Sequence, residues 1–149
     1  MSYDSLRPYL EVLEKKGLFR WITAEVDKDW EISSIARMIF RGLPEERRFG
    51  IGFSNVRGFP GARVVCGAIA ASTEMVATGL ECAPTLPAIH ERMMSGISNP
   101  IEAVVVRTGP CKEVILGPDE LDLLALPVPI WTPSRDAGPY LTPLWITKD

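Results

Sequence analysis

Apolar residues recur at helical spacing from the start of the chain. Leu6, Leu10 and Leu13, with Val12 beside them, fall on one face, and Asp4 or Ser5 stands where a helix needs a cap. Pro8 is tolerated in the opening turn, and Gly17 ends the helix just after Lys15 and Lys16, whose charge suits a helix C-terminus. The period then changes to two. In LFRWITAEVD, Phe19, Trp21, Thr23 and Glu25 point one way and Leu18, Arg20, Ile22, Ala24 and Val26 the other, which predicts a strand. A second helix is predicted from Glu31 to about Gly42, opened by Asp27 or Asp29. Its buried face is Ile32, Ile35, Ala36, Ile39 and Phe40.

Gly, Pro and Asn then punctuate GLPEERRFGIGFSNVRGFPG, which reads as turns around a short strand at Gly50 to Asn55. The apolar run Ala62 to Ala70 predicts a central buried strand. Ser72 or Thr73 caps a short helix reaching Leu80, and Thr85 to Met94 predicts another, with Pro87 near its start. After the break at Ser98-Asn99-Pro100, Ile101 to Val106 and Cys111 to Ile115 read as two more buried strands, the latter closed by Gly117-Pro118. A short helical turn follows Asp119, Glu120 and Asp122 and enters a proline-limited strand, LPVPIW. DAGPYLTPLWITKD reads as a last strand that stops in mid-pattern, as in a longer chain that has been cut. Helices and strands interleave throughout, so the expected class is α/β, with α+β as the variant.

Composition narrows the function. The 149 residues are 46% hydrophobic and 23% charged, the balance of a folded globular domain. A net charge of −3 argues against a nucleic-acid binder, because Arg47 and Arg48 are cancelled by Glu45 and Glu46 beside them. The N-terminus lacks the features of a signal peptide, and no apolar run is long enough to span a bilayer, so the expected location is cytoplasmic. Three cysteines, Cys66, Cys82 and Cys111, form no close pair and read as free thiols.

Local chemistry is sparse. Gly50-Ile51-Gly52 lacks the third glycine of a dinucleotide loop and fits a hairpin or strand edge better. His90 is the only histidine. A nucleophilic constellation of His90, a cysteine and a carboxylate has no support beyond composition, and a metal site would need more donors. Asp119, Glu120 and Asp122 read as a polar helix start rather than a cation site. Trp21 and Trp30 are expected to pack at element edges. Trp131 and Trp145 flank TPSRDAGPYLTP, the most unusual segment, which combines Arg135, Asp136, Gly138 and Tyr140. Such a mixture suits a pocket wall, and an exposed loop nearly as well.

Several phrases in order resemble the UbiD-like decarboxylases. They are Leu6-Arg7, Leu13-Glu14, Gly17-Leu18, Glu25-Val26-Asp27 and Glu31-Ile32, then Phe53, Asn55, Val56 and Gly58. Pro110 to Val114, Asp122-Leu123, Leu126 to Pro129 and Asp136 to Thr142 follow, and the chain closes on Ile146 to Asp149. The resemblance implies an N-terminal α/β domain at residues 1–125. Residues 126–149 would then be the connection and first strand toward a split-barrel flavin domain. It implies a polypeptide about three times this length, with a C-terminal domain that drives homo-oligomerisation.

The implied activity is non-oxidative, reversible decarboxylation of an aromatic or α,β-unsaturated carboxylic acid. The implied cofactors are prenylated FMN, Mn²⁺ and a K⁺-type ion, the flavin being supplied by a separate flavin prenyltransferase. The family's arginine and glutamates would fall after Asp149, so no catalytic residue and no metal ligand is assigned to this chain. Thr142 and Pro143 match the strand entering the flavin domain and are the candidates for touching the cofactor. Arg135 and Asp136 would order the loop before them. Two alternatives remain: a non-catalytic small subunit of a UbiD-like complex, and an unrelated enzyme built on His90 and a cysteine.

Overall fold

A computed structural model describes residues 3–132 and 134–141. It is a mixed α/β fold around a small sheet. The order is α1 (Leu6–Lys15), β1 (Phe19–Ile22), α2 (Glu31–Gly42), β2 (Gly50–Phe53), β3 (Val64–Cys66), α3 (Thr73–Leu80) and α4 (Leu86–Ser98). Single 3₁₀ turns lie at Glu45–Arg47, Pro110–Lys112 and Leu123–Ala125.

Helices α3 and α4 start where a side chain satisfies a free amide of the first turn, and α2 is preceded by a turn that its own first residue closes. The Glu31 carboxylate accepts from the Asp27 amide at 2.7 Å, while the Asp27 carbonyl accepts from the Glu31 amide at 3.0 Å. Ser72 Oγ accepts from the Met75 amide, and Thr85 Oγ1 from the Ala88 amide. Ser5 occupies the cap of α1 without a side-chain bond. Gly17, at φ +73°, lets the chain turn so that the Leu18 amide returns to the Leu13 carbonyl. The predicted helices are all present, and α4 runs four residues beyond the expected Met94.

The sheet order is β1-β2-β3, parallel between β1 and β2 and antiparallel between β2 and β3. Its two faces carry two cores. Ile51 and Phe53 of β2 meet Ile32, Ala36 and Ile39 of α2, with Val26, Val56 and Cys66. Phe19 of β1 meets Tyr9, Leu10 and Leu13 of α1 and Met75 of α3, with Trp21 packed against them. Period two in β1 thus feeds both layers, since Phe19 and Trp21 go to one and Ile22 to the other.

Several expectations from sequence need correction. Gly50-Ile51-Gly52 lies in the middle strand, which runs antiparallel to β3 across a long connection, and not in a tight hairpin or at a strand edge. The run Ala62 to Ala70 yields only the three-residue edge strand β3. Gly67, at φ +64°, ends it where the ring of Phe40 leaves no room for a side chain, and Ile69 beyond is exposed. Trp30 stands exposed in front of α2 instead of packing at an edge.

The largest departure is at Ile101 to Val106 and Cys111 to Ile115. Neither is a strand and neither is buried. Both runs have strand composition, but among the described residues neither pairs with the outer edge of β1 or β3, and composition alone does not make a strand. LPVPIW likewise forms no strand; Leu123–Ala125 makes one 3₁₀ turn, capped by Asp122, whose carboxylate accepts from the Leu124 amide at 2.8 Å. Asp122 therefore acts as the helix-start group that its acidic cluster predicts.

Candidate functional site

The segment after the leucine-rich turn returns to the folded body at the N-terminal end of α2. Pro129 is buried, and Trp131 packs against the α2 core. Two cations hold this strap by its carbonyls. Lys28 Nζ donates to the Val128 carbonyl at 3.2 Å, and Arg37 Nη2 to the Trp131 carbonyl at 3.5 Å. Lys28 is positioned by the loop that caps α2. Its ammonium pairs with Asp29 and lies 5.9 Å from the centre of the Phe59 ring. Its side chain is only 17% exposed, so this charge is shielded from water far more than an ordinary surface lysine.

Beyond Trp131 the chain makes a closed turn. Asp136 Oδ2 accepts from the Thr132 amide at 2.7 Å, and the Arg135 and Asp136 amides both donate to the Thr132 carbonyl at 3.0 Å. Ser134 occupies the left-handed region at φ +66° within it. Asp136 thus orders the loop as expected, whereas the contribution of Arg135 is its backbone amide and its side chain is exposed. The turn directs Pro139, Tyr140 and Leu141 back over Lys28. Together with Leu124, Leu126 and Val128 they line an open cavity of about 410 Å³ whose one charged lining group is Lys28. The segment read as either pocket wall or exposed loop is therefore a wall along Pro139 to Leu141 and exposed at Arg135.

Thr142 and Pro143, the residues expected to touch a cofactor, lie outside the described residues. Leu141, their neighbour in sequence, lines the cavity. Lys28 and Arg37 escape a reading of the sequence, because Lys28 stands between Asp27 and Asp29 and looks like a self-cancelling surface loop.

The other candidates do not assemble. His90 is exposed on α4, and among the described residues no hydrogen bond joins it to a cysteine. Cys66 is buried, and burial pushes its thiol up to about 11, away from a nucleophile's range. Among the described residues there is no group of three or more His, Cys, Asp or Glu able to hold a metal ion, and no helix long and apolar enough to cross a membrane. An exposed ion pair joins Arg57 to Glu25 at 2.8 Å and to Asp27 at 3.5 Å, bracing the loop that caps α2. On the opposite face, two shallow apolar grooves of about 600 and 520 Å³ flank Leu6 and Ile69, with Arg48 as their one charged lining group.

Comparison with known proteins gives a consistent picture. The profile of the 3-octaprenyl-4-hydroxybenzoate carboxy-lyase N-terminal domain matches residues 10–93. Gallate decarboxylase of Lactiplantibacillus plantarum is 28% identical over 94% of this chain and 30% of its own length. The apo structure of a 3,4-dihydroxybenzoic acid decarboxylase from Enterobacter cloacae superposes with a TM-score of 0.78 at 29% identity, over 93% of this chain and 30% of that one. An evolved dimeric form of the UbiD-class enzyme HmfF from Pelotomaculum thermopropionicum, in complex with prenylated FMN, gives 0.75 at 28% identity, over 94% and 31%. The chain spans about a third of the length of the relatives it matches.

Proposed function

The chain belongs to the family of 3-octaprenyl-4-hydroxybenzoate carboxy-lyase N-terminal domains, and from that premise we propose that it is the N-terminal part of a non-oxidative decarboxylase using prenylated FMN. The match of the family profile over residues 10–93 carries the proposal. Substrate class is inferred from two relatives, one named for gallate and one for 3,4-dihydroxybenzoate, which favour a hydroxylated aromatic acid over a non-aromatic unsaturated one. A full-length homo-oligomer in the cytoplasm, with a flavin prenyltransferase supplying the cofactor, completes the proposal.

The cavity beside Lys28 fits part of such a cofactor or its substrate. Leu124, Leu126, Val128 and Leu141 offer apolar surface to a flat conjugated ring, and the shielded Lys28 ammonium offers charge complementarity to an anionic group at its edge. Prenylated FMN, when bound, supplies the electron-accepting chemistry that loss of CO₂ from an sp² carbon requires. This chain's own contribution is placement. Lys28 and Arg37 fix the strap, Asp136 closes the turn, and Trp131 packs against the α2 core. Among the described residues no group of three or more His, Cys, Asp or Glu is arranged to hold Mn²⁺. Residues 126–149 serve in this reading as the connection toward the flavin domain.

The test is the intact mass of the native gene product, followed by CO₂ release from gallate, 3,4-dihydroxybenzoate and cinnamate after co-expression with a flavin prenyltransferase. A product well above 16.5 kDa that releases CO₂ only when the prenyltransferase is present supports the proposal. No release from any acid by a flavin-loaded product overturns it. A native product of 16.5 kDa turns the reading to a non-catalytic small subunit, to be pursued through the polypeptide that copurifies.

A further inference from the structure

Three arginines line one cleft beside the first strand. Arg20 of β1 and Arg47 and Arg48 of the turn after α2 surround a space of about 270 Å³, with Leu43, Phe49 and a single carboxylate, Glu46. Adjacency in sequence suggests that Glu45 and Glu46 cancel Arg47 and Arg48, and the fold undoes half of that. The Glu45 carboxylate is taken by the amide and hydroxyl of Thr73 at the start of α3, and it acts on Arg48 only as a more distant charge. Among the described residues, none of the three arginines forms an ion pair.

Two of the guanidiniums are already held in place. Arg20 lies over the ring of Phe49, 4.4 Å from its centre. Arg48 Nε donates to the Leu43 carbonyl at 3.0 Å, and its two terminal nitrogens have no hydrogen-bond partner among the described residues. A guanidinium fixed in this way loses little freedom on binding, and its planar fork matches the oxygens of a phosphate or a carboxylate. Arginines elsewhere are occupied. Arg57 pairs with Glu25 and Asp27, and Arg37 donates to the Trp131 carbonyl.

Charge selects between the anions. Three guanidiniums and one carboxylate leave a net charge of +2 around the cleft. A phosphate monoester at neutral pH carries a charge of about −2, whereas a carboxylate carries one negative charge. Leu43 and the Phe49 ring offer apolar surface to a small organic group on the ester oxygen.

We propose that the cleft between β1 and the turn after α2 binds the dianionic phosphate of a small phosphomonoester, with Arg20, Arg47 and Arg48 as its donors. The site shares no residue with the Lys28 cavity and does not depend on the decarboxylase reading.

A chemical-shift titration of the 149-residue chain tests it. Phenyl phosphate or benzoate replaces sodium chloride at constant ionic strength, and the side-chain Nε–Hε signals of Arg20 and Arg48 are followed. Phenyl phosphate shifts both along one saturating curve, with a dissociation constant below about 10 mM, and benzoate binds at least about fivefold more weakly. Arg20→Gln and Arg47→Gln each weaken binding several-fold, and Arg57→Gln, outside the cleft, leaves it unchanged. Arg20→Lys keeps the charge and loses the fork, so its affinity falls between those of parent and Arg20→Gln. Arg47 is exposed, so Arg47→Gln decides the matter even where Arg20→Gln melts early. Linear shifts that sodium chloride reproduces overturn the proposal, because the arginines are then a solvated face. Equal affinity for benzoate overturns it, as do unchanged affinities in both glutamine variants. Binding of a polyglutamate peptide with none of phenyl phosphate overturns it too, and makes the cleft a surface for an acidic protein segment. Calorimetry on the complete product of the native gene should give the same affinity for phenyl phosphate, and absence of binding there overturns the site.

Discussion

Gly52 pairs in parallel register with Trp21, and a Cβ placed on it would come within 2.4 Å of the Trp21 ring. One position earlier on the same face, a Cβ on Gly50 would meet Phe19 at 2.8 Å. The two glycines of the middle strand thus exist for the two aromatics of its neighbour, which lean across the sheet and stack edge to face at 5.2 Å. A motif that invites comparison with a phosphate loop is a packing device.

Gly52→Ala is therefore expected to destabilise the domain by about 1–3 kcal/mol through overpacking. Urea denaturation followed by circular dichroism measures it. Trp21→Leu in the same chain should relieve part of that cost, so the double variant should be more stable than the sum of the single changes implies. Strict additivity would show that the glycine does not serve the ring.

Lys28→Met keeps the apolar stem and removes the bond to Val128 and the pair with Asp29. The α2 core does not depend on that contact, so the unfolding free energy should change by less than about 1 kcal/mol. The strap should loosen instead. Chymotryptic cleavage after Trp131 should quicken several-fold, and more so with Arg37→Ala added. Equal cleavage rates in variant and parent would show that Trp131 alone holds the strap.

Which features are legible in the sequence follows from how local their causes are. Every helix carries its own start and its own stripe within about a dozen residues, as in Ser72 before α3, Thr85 before α4 and the Asp27–Glu31 reciprocal cap before α2. Strands depend on partners far along the chain. The Ala62 to Ala70 run promises a central strand, and the place is taken by Gly50 to Phe53, while Phe40 and Gly67 curtail the run itself. Ile101 to Val106 has the right residues and, among the described residues, pairs with no strand. At the site, Asp136 is legible because it acts within its own turn, four residues from Thr132. Lys28 acts on a carbonyl one hundred residues away and leaves no mark in its neighbourhood.

The three thiols should separate by access and by charge. Cys111 is exposed, Cys82 half-buried and Cys66 buried, so alkylation at pH 8 should proceed in that order. Burial holds the Cys66 thiol at about 11, against an ordinary value of 9.0. The folded state therefore keeps a proton that the unfolded chain gives up first. That contribution to stability is complete below pH 9.0 and declines as pH rises toward about 11. Denaturation midpoints from pH 8 to 11 should fall, and fall less steeply in Cys66→Ala, whose baseline is lower from the cavity it leaves. Parallel slopes would exclude Cys66 as the titrating group.

Glu45 offers the opposite sign. Its carboxylate accepts from both the amide and the hydroxyl of Thr73, tying the turn after α2 to the first residue of α3. Those two bonds hold its pKa below the ordinary carboxylate value. The contribution is present above that ordinary value and is lost as pH falls through the lowered one. The group is fully exposed, so the effect belongs in a titration rather than in a melting curve. Carbon-detected NMR of the Glu45 carboxyl should give a depressed midpoint in the parent. Thr73→Ala removes the hydroxyl bond and leaves the amide, so the midpoint should move partway back up. Thr73→Ser restores a hydroxyl and should return the midpoint toward the parent's. An unchanged midpoint in Thr73→Ala would assign the depression to the amide at the start of α3 and leave the hydroxyl without a part in it.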